Sequence, residues 1–182
     1  MSDTNQQYDL IINKCKEVFI NKNKDYGTAW RVLRTISIVD QIFIKAQRIR
    51  TIQELKAQKI EEDAVAELKG IINYAVMGLI QLNLPPAIED NIPTEALIQL
   101  YDKHITATKS LMQDKNHDYG EAWRSMSQES FVDLILMKLF RIRQIINNDG
   151  KTLISEGIDA NYHDIINYSV FALILLTEKN QN

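Results

Sequence analysis

Residues 22–30 read KNKDYGTAW, and residues 115–123 read KNHDYGEAW. Either phrase alone is a polar turn with a tryptophan; the pair decides the fold. Placing Asp118 on Asp25 sets an offset of 93 residues, and the offset holds far beyond the phrase. Tyr8 falls on Tyr101, Trp30-Arg31 on Trp123-Arg124, Asp40 on Asp133, Lys45 on Lys138, Arg48 on Arg141 and Arg50 on Arg143. One extra residue in the second half then brings Asn73-Tyr74 onto Asn167-Tyr168 at an offset of 94. Such self-similarity marks a duplicated unit. All three prolines lie in NLPPAIEDNIP, residues 83–93. The chain therefore divides into a first repeat over 1–84, a proline-containing linker over 85–93 and a second repeat over 94–182.

Apolar residues recur at i, i+3, i+4 and i+7 over long windows, which predicts helices at about 6–22, 36–58 and 62–83, with partners at about 94–115, 128–148 and 158–178. No strand pattern competes with them. The Asp-Tyr-Gly phrase falls between the first and second helix of each half, where Gly27 and Gly120 suit a backbone of positive φ. Trp30 and Trp123 follow on a short helical turn, and NNDG at 147–150 stops the fifth helix. Three helices leave one apolar face open, and the duplicate supplies its cover. The predicted fold is all-α: two tandem three-helix repeats packed as a pseudo-two-fold bundle around one core.

The chain has 182 residues, 45% hydrophobic and 25% charged, with a formal net charge of −3. That balance disfavours direct nucleic-acid binding, which calls for a basic surface. The single cysteine, Cys15, excludes an internal disulfide and a cysteine-based zinc site, and reads as a packed helix residue. The start, MSDTNQQYDL, has no basic or apolar leader pattern, and the apolar run from Ile165 is short and holds Asn167. A cytoplasmic protein without a membrane span is the expectation.

The chemistry sits on the apolar helices. The fifth, FVDLILMKLFRIRQII, is apolar almost all round, which predicts burial on most sides, yet it carries Asp133, Lys138 and Arg141. The second helix repeats the set as Asp40, Lys45 and Arg48. A buried charge must be paired or receive a ligand. Asn73 and Asn167 sit in mid-helix and call for hydrogen-bond partners. Asp164 and His163 share a side with Asn167, whereas the first half has Gly70 and Lys69 at their places and Glu67 as its nearest acid. Two readings follow. In one, these charges form internal salt bridges and Asp25 and Asp118 anchor turns. In the other, Lys45, Arg48, Lys138 and Arg141 cradle phosphate; Asp25, Asp118, Asp133 and Asp164 contact a metal or a base; Asn73, Asn167, Trp30 and Trp123 support them. His104 reads as a helix-surface residue and His117 as an exposed loop position, while Lys69 opposite His163 speaks against a shared metal site.

The pattern Lys-Asn-x-Asp-Tyr-Gly, then Trp, then Lys-x-x-Arg, then Asn-Tyr resembles the nucleotide modification associated domain family, in a two-copy form covering nearly the whole chain. The resemblance implies an all-helical protein linked to nucleotide or modified-base metabolism. A remoter likeness is to the MazG-type all-α pyrophosphohydrolases, which hold Mg²⁺ on paired Glu-x-x-Glu and Glu-x-x-Asp motifs. Here Glu156-Gly-Ile-Asp159 has the second spacing with no Glu-x-x-Glu opposite. The leading expectation is a protein that binds a nucleotide or related phosphate metabolite. The alternatives are a Mg²⁺-dependent nucleoside triphosphate pyrophosphohydrolase, with Mg²⁺ as its cofactor, and an interaction module with internally paired charges. A homodimer is a candidate assembly.

Overall fold

A computed structural model describes residues 3–55, 60–84, 87, 91–153 and 156–181. Its helices are α1 (Thr4–Tyr26), α2 (Thr35–Leu55), α3 (Ile60–Asn83), α4 (Thr94–Tyr119), α5 (Gln128–Asn147) and α6 (Ile158–Lys179). Short 3₁₀ turns, Ala29–Val32 and Ala122–Ser125, carry the two tryptophans, and no strand occurs among the described residues. Much of the expected linker, including both of its adjacent prolines, and the expected end of the second helix lie outside the described residues.

Local chemistry sets the helix ends. Asp3 caps α1, its carboxylate accepting from the Asn5 N–H at 2.9 Å, and Ser127 caps α5 by accepting from the Ser130 N–H at 3.2 Å. At the other end, α1 and α4 run four residues past the expected stop. The Lys-Asn-x-Asp-Tyr part of each phrase is thus helical, and His117 with it, exposed on the last turn of α4 rather than in a loop. The glycine terminates each helix. Gly27 (φ 58°) and Gly120 (φ 65°) take the left-handed backbone that a side chain would strain. After α5, Asp149 and Gly150 at positive φ complete the NNDG stop.

The helices stack in three layers, each made of a helix and its own repeat copy: α2 with α5, α3 with α6, and α1 with α4. The middle pair contacts both outer pairs, so α3 and α6 must be apolar nearly all round. Ile71, Ile72, Ala75, Val76 and Ile80 of α3 are fully buried, as are Ile165, Ile166 and Val170 of α6. Each such isoleucine or valine contributes roughly 2 kcal/mol to the shared core. The stretch Glu62–Asn83 is also long and apolar enough to cross a membrane by composition, but its apolar faces pack on α2 and α6. The expectation that α5 is buried on most sides is corrected. It lies in an outer layer with Met137 and Phe140 38% and 49% exposed. Asp133 and Arg141 are exposed on it, as are Asp40 and Arg48 on α2.

Reciprocal contacts trace the pseudo-two-fold. The Tyr8 hydroxyl donates to Asn167 Oδ1 at 2.8 Å, and its copy Tyr101 donates to Asn73 Oδ1 at 2.9 Å. Each asparagine then donates to a carbonyl of the first helix in its own repeat, Asn73 to Cys15 and Asn167 to Thr108. Lys16 pairs with Asp102 and its copy Lys109 with Asp9, both at 2.7 Å. Arg143 pairs with Asp40 at 2.9 Å and its copy Arg50 with Asp133 at 3.7 Å. A contact made once in each direction is the signature of an isologous interface. Cys15 is fully buried beside this network, and burial pushes its thiol up to about 12.

Candidate functional site

The first repeat encloses a cavity of about 610 Å³ between the end of α1, the first 3₁₀ turn, α2 and α3. Helical spacing builds it. Phe19, Lys22, Asn23 and Tyr26 line one side of α1 at i, i+3, i+4 and i+7. Lys69, Gly70, Asn73, Tyr74 and Met77 line the facing side of α3, with Trp30 and Lys45 between. Lys22 and Lys69 have no ion-pair partner among the described residues. Lys45 is 3.4 Å from Glu67 and sits 5.8 Å above the Tyr74 ring. Gly70 matters by what it omits. A Cβ there would lie 3.0 Å from Lys45 Cε and 3.1 Å from its Nζ.

The second repeat fills the same place. Asp164, the counterpart of Gly70, accepts hydrogen bonds from Lys115 and Lys138, each at 2.7 Å. Lys115 and Lys138 are the copies of Lys22 and Lys45. Trp123 lies flat on Phe171, 4.2 Å between ring centroids and 6° apart, and Phe171 replaces Met77. Burial alone would raise the Asp164 carboxyl, but the two lysine hydrogen bonds outweigh it and hold the group below its ordinary range. Burial alone would lower Lys115, and Asp164 reverses that to a raised value. His163 hydrogen-bonds Thr108 Oγ1 through Nδ1 at 2.7 Å, and burial lowers it.

Two segments of the chain, residues 22–82 and 115–176, match the family described as Nucleotide modification associated domain 1. Together they span more than half of the chain. The chain belongs to this family. No curated protein and no solved structure matches it significantly. The family's description carries an association with nucleotide modification. Each nucleotide modification associated domain begins at the first lysine of the repeated phrase, Lys22 or Lys115, which faces the cavity in one copy and Asp164 in the other.

The two copies place the expected site residues differently. In each copy a buried acid of the third helix takes the basic partners, and the two acids, Glu67 and Asp164, lie one turn apart in the repeat. In the first copy Glu67 accepts from Arg48 at 2.8 Å, with Asp63 3.9 Å away. In the second, Asn161 stands where Glu67 does and turns to the Gly157 carbonyl, so Arg141 has no ion-pair partner among the described residues. Arg141 instead borders, with Lys138, Gln144 and Lys151, a separate cleft of about 630 Å³. Of the four cations expected to hold phosphate, only Lys138 is buried; Lys45 lines the first-repeat cavity, while Lys138 and Arg141 line the second-repeat cleft.

The acids do not converge. Asp133 lies on the α2–α5 surface beside Arg50, Asp164 is held by two lysines, and Asp25 and Asp118 are exposed at the ends of α1 and α4. Glu156 and Asp159 are exposed around the start of α6. Among the described residues no group of three or more His, Cys, Asp or Glu side chains is placed to hold a metal ion. His104 is not on the surface as expected. It is buried in α4, and burial lowers its pKa. Trp30 is half-buried on the cavity wall, while Trp123 is core. Sequence reasoning missed Lys22, Lys69 and Tyr26. The available signal was the first letter of the repeated phrase itself.

Proposed function

We propose that the cavity of the first repeat binds a nucleotide or related phosphate metabolite. One observation carries this reading: Lys22 and Lys45 line a cavity with no acid between them, Lys45 reaching only Glu67 one turn away at 3.4 Å, whereas their copies, Lys115 and Lys138, close on one carboxylate at 2.7 Å. Lys22 and Lys69 have no ion-pair partner among the described residues, and Lys45 is held only by Glu67 at 3.4 Å; such a group of lysines around a cavity attracts an anion, and lysine serves phosphate as a point charge. Trp30, Tyr74 and Phe19 add flat apolar surface on which a base can stack. About 610 Å³ falls in the range of small-molecule pockets. The pyrophosphohydrolase alternative asks for acids gathered around an ion, and the scattered carboxylates lend it no support, so the proposal is binding without a hydrolytic step.

Thermal-shift screening of the full chain against nucleoside mono- and triphosphates, with and without Mg²⁺, tests the proposal. A ligand at about 100 times its Kd stabilises by about 2.7 kcal/mol, a shift of several degrees. Lys45→Ala is expected to lose that shift while remaining folded. An unchanged melting temperature of the parent protein across the whole panel overturns the reading.

The internal-lock reading is favoured most by the Lys115–Asp164–Lys138 triad of the second repeat, with looser pairing of Lys45 and Arg48 to Glu67 in the first. In the second repeat the charges serve packing.

A further inference from the structure

The duplicated unit supplies its own reference for where an anion sits. In the second repeat a single carboxylate, on α6, lies between two lysines contributed by α4 and α5. In the first repeat the two matching lysines line the cavity, and the matching α3 position is Gly70. The backbone there is already close to one of them, since a side chain begun at Gly70 would start 3.1 Å from Lys45 Nζ. A carboxylate and a phosphoryl group make the same kind of charge-assisted hydrogen bonds to ammonium groups. Lys69, one residue before Gly70, adds a third cation on the cavity wall, where the second repeat has His163.

Resting on the proposed function above, we infer that the ligand's phosphoryl group occupies the place of the missing carboxylate, beside Gly70 and between Lys22 and Lys45. Gly70 then decides that the first repeat is the receptive copy, and Asp164 is a built-in anion that keeps the second copy filled. The ligand class this fits is a phosphomonoester carrying one planar ring, of the nucleoside monophosphate type. One bound carboxylate marks room for one phosphoryl group, and the neighbouring Trp30 and Tyr74 supply the surface for one ring. Glu62, also on the cavity wall, opposes a longer polyphosphate chain.

The test is calorimetric titration of the full-length protein with nucleoside 5′-monophosphates, ribose 5-phosphate, inorganic phosphate and the unphosphorylated nucleosides. The monophosphates are expected to bind at least about tenfold more tightly than either the nucleosides or inorganic phosphate alone, a difference of about 1.4 kcal/mol. Gly70→Asp is expected to weaken monophosphate binding by about 100-fold, and the uncharged isostere Gly70→Asn by only a few-fold through crowding, so their ratio reads the charge. A second pair of variants guards against misfolding. Lys22→Met is expected to weaken binding about tenfold, whereas Lys115→Met, the same change in the filled copy, leaves it as in the parent. Equal losses in Gly70→Asp and Gly70→Asn, or equal effects of Lys22→Met and Lys115→Met, overturn the assignment even though the parent binds. Tighter binding of nucleoside triphosphates than of monophosphates overturns the ligand class. Absence of binding by any phosphate compound in the parent removes the proposed function itself, a distinct result.

Discussion

The two halves of this chain share a fold, a phrase and most of their charges, and differ in the position of one acid. In the first repeat the buried acid of the third helix is Glu67, which serves Arg48 and, more loosely, Lys45 and leaves Lys22 facing a cavity. In the second it is Asp164, one turn further on, which binds Lys115 and Lys138 and leaves Arg141 without a partner among the described residues. Packing follows the same division. Met77 leaves space beside Trp30, and Phe171 fills it beside Trp123. A duplicated helical frame can thus hold one copy closed and the other open through a few side chains, because the frame is fixed by the shared core rather than by the site.

The largest effect that sharpens this comparison is expected at Asp164. Asp164→Asn strands the nearly buried Lys138 ammonium and should destabilise the protein by about 3 kcal/mol, measured by urea unfolding. The matched change in the open copy, Glu67→Gln, leaves the half-exposed Arg48 able to reach water, and a loss of about 1 kcal/mol is expected. Equal losses would break the distinction between lock and pocket.

Gly78→Ala comes next. A Cβ at Gly78 would stand 2.5 Å from the ring of Tyr162, whereas the second repeat carries Ala172 at that place. Tyr162 is fully buried and cannot move aside, so overpacking of about 2 kcal/mol is expected in thermal unfolding. Tyr8→Phe and Tyr101→Phe should then cost alike, about 1–2 kcal/mol each, because each removes one copy of the same buried hydrogen bond to an asparagine. Clearly unequal values would show that the pseudo-two-fold is geometric but not energetic.

Acid acts mainly on the filled copy. Burial holds His104 and His163 below the ordinary histidine value of about 6.5, so the unfolded chain takes up protons first as pH falls through that window. Stability present above it should decline between the ordinary histidine range and the lowered native values. Asp164, also lowered, adds stability that persists above the ordinary carboxylate range and is lost as pH drops through its native value. Melting temperatures that stay level from about pH 8 down to about pH 4 would contradict the histidine effect, and no further loss below about pH 4 would contradict that of Asp164. The smallest effect is expected at the exposed Arg50–Asp133 pair, where Arg50→Ala should change stability by less than about 0.5 kcal/mol.

Much of the fold was legible in the chain. Periodicity located the helices, the 93-residue offset revealed the duplication, and glycine chemistry placed the turns at Gly27 and Gly120. The site was legible only in part. The swap of Gly70 for Asp164 was visible as a departure from the repeat, but the only sign at Lys22 was its repetition at Lys115, since a lysine near a helix end is ordinarily a solvated residue. The apolar character of α5 suggested deep burial, yet the layer order put α3 and α6 in the middle and exposed Phe140.

The sequence by itself determined an all-helical, duplicated unit, because helix formation and repeat matching depend on local spacing and identity. Only the tertiary structure decided which charges meet. Whether Lys115 finds Asp164, or Lys22 finds open space, depends on the approach of α1 to α3 and of α4 to α6. Those distances are set by the summed packing of the whole core, and no single stretch of sequence records them.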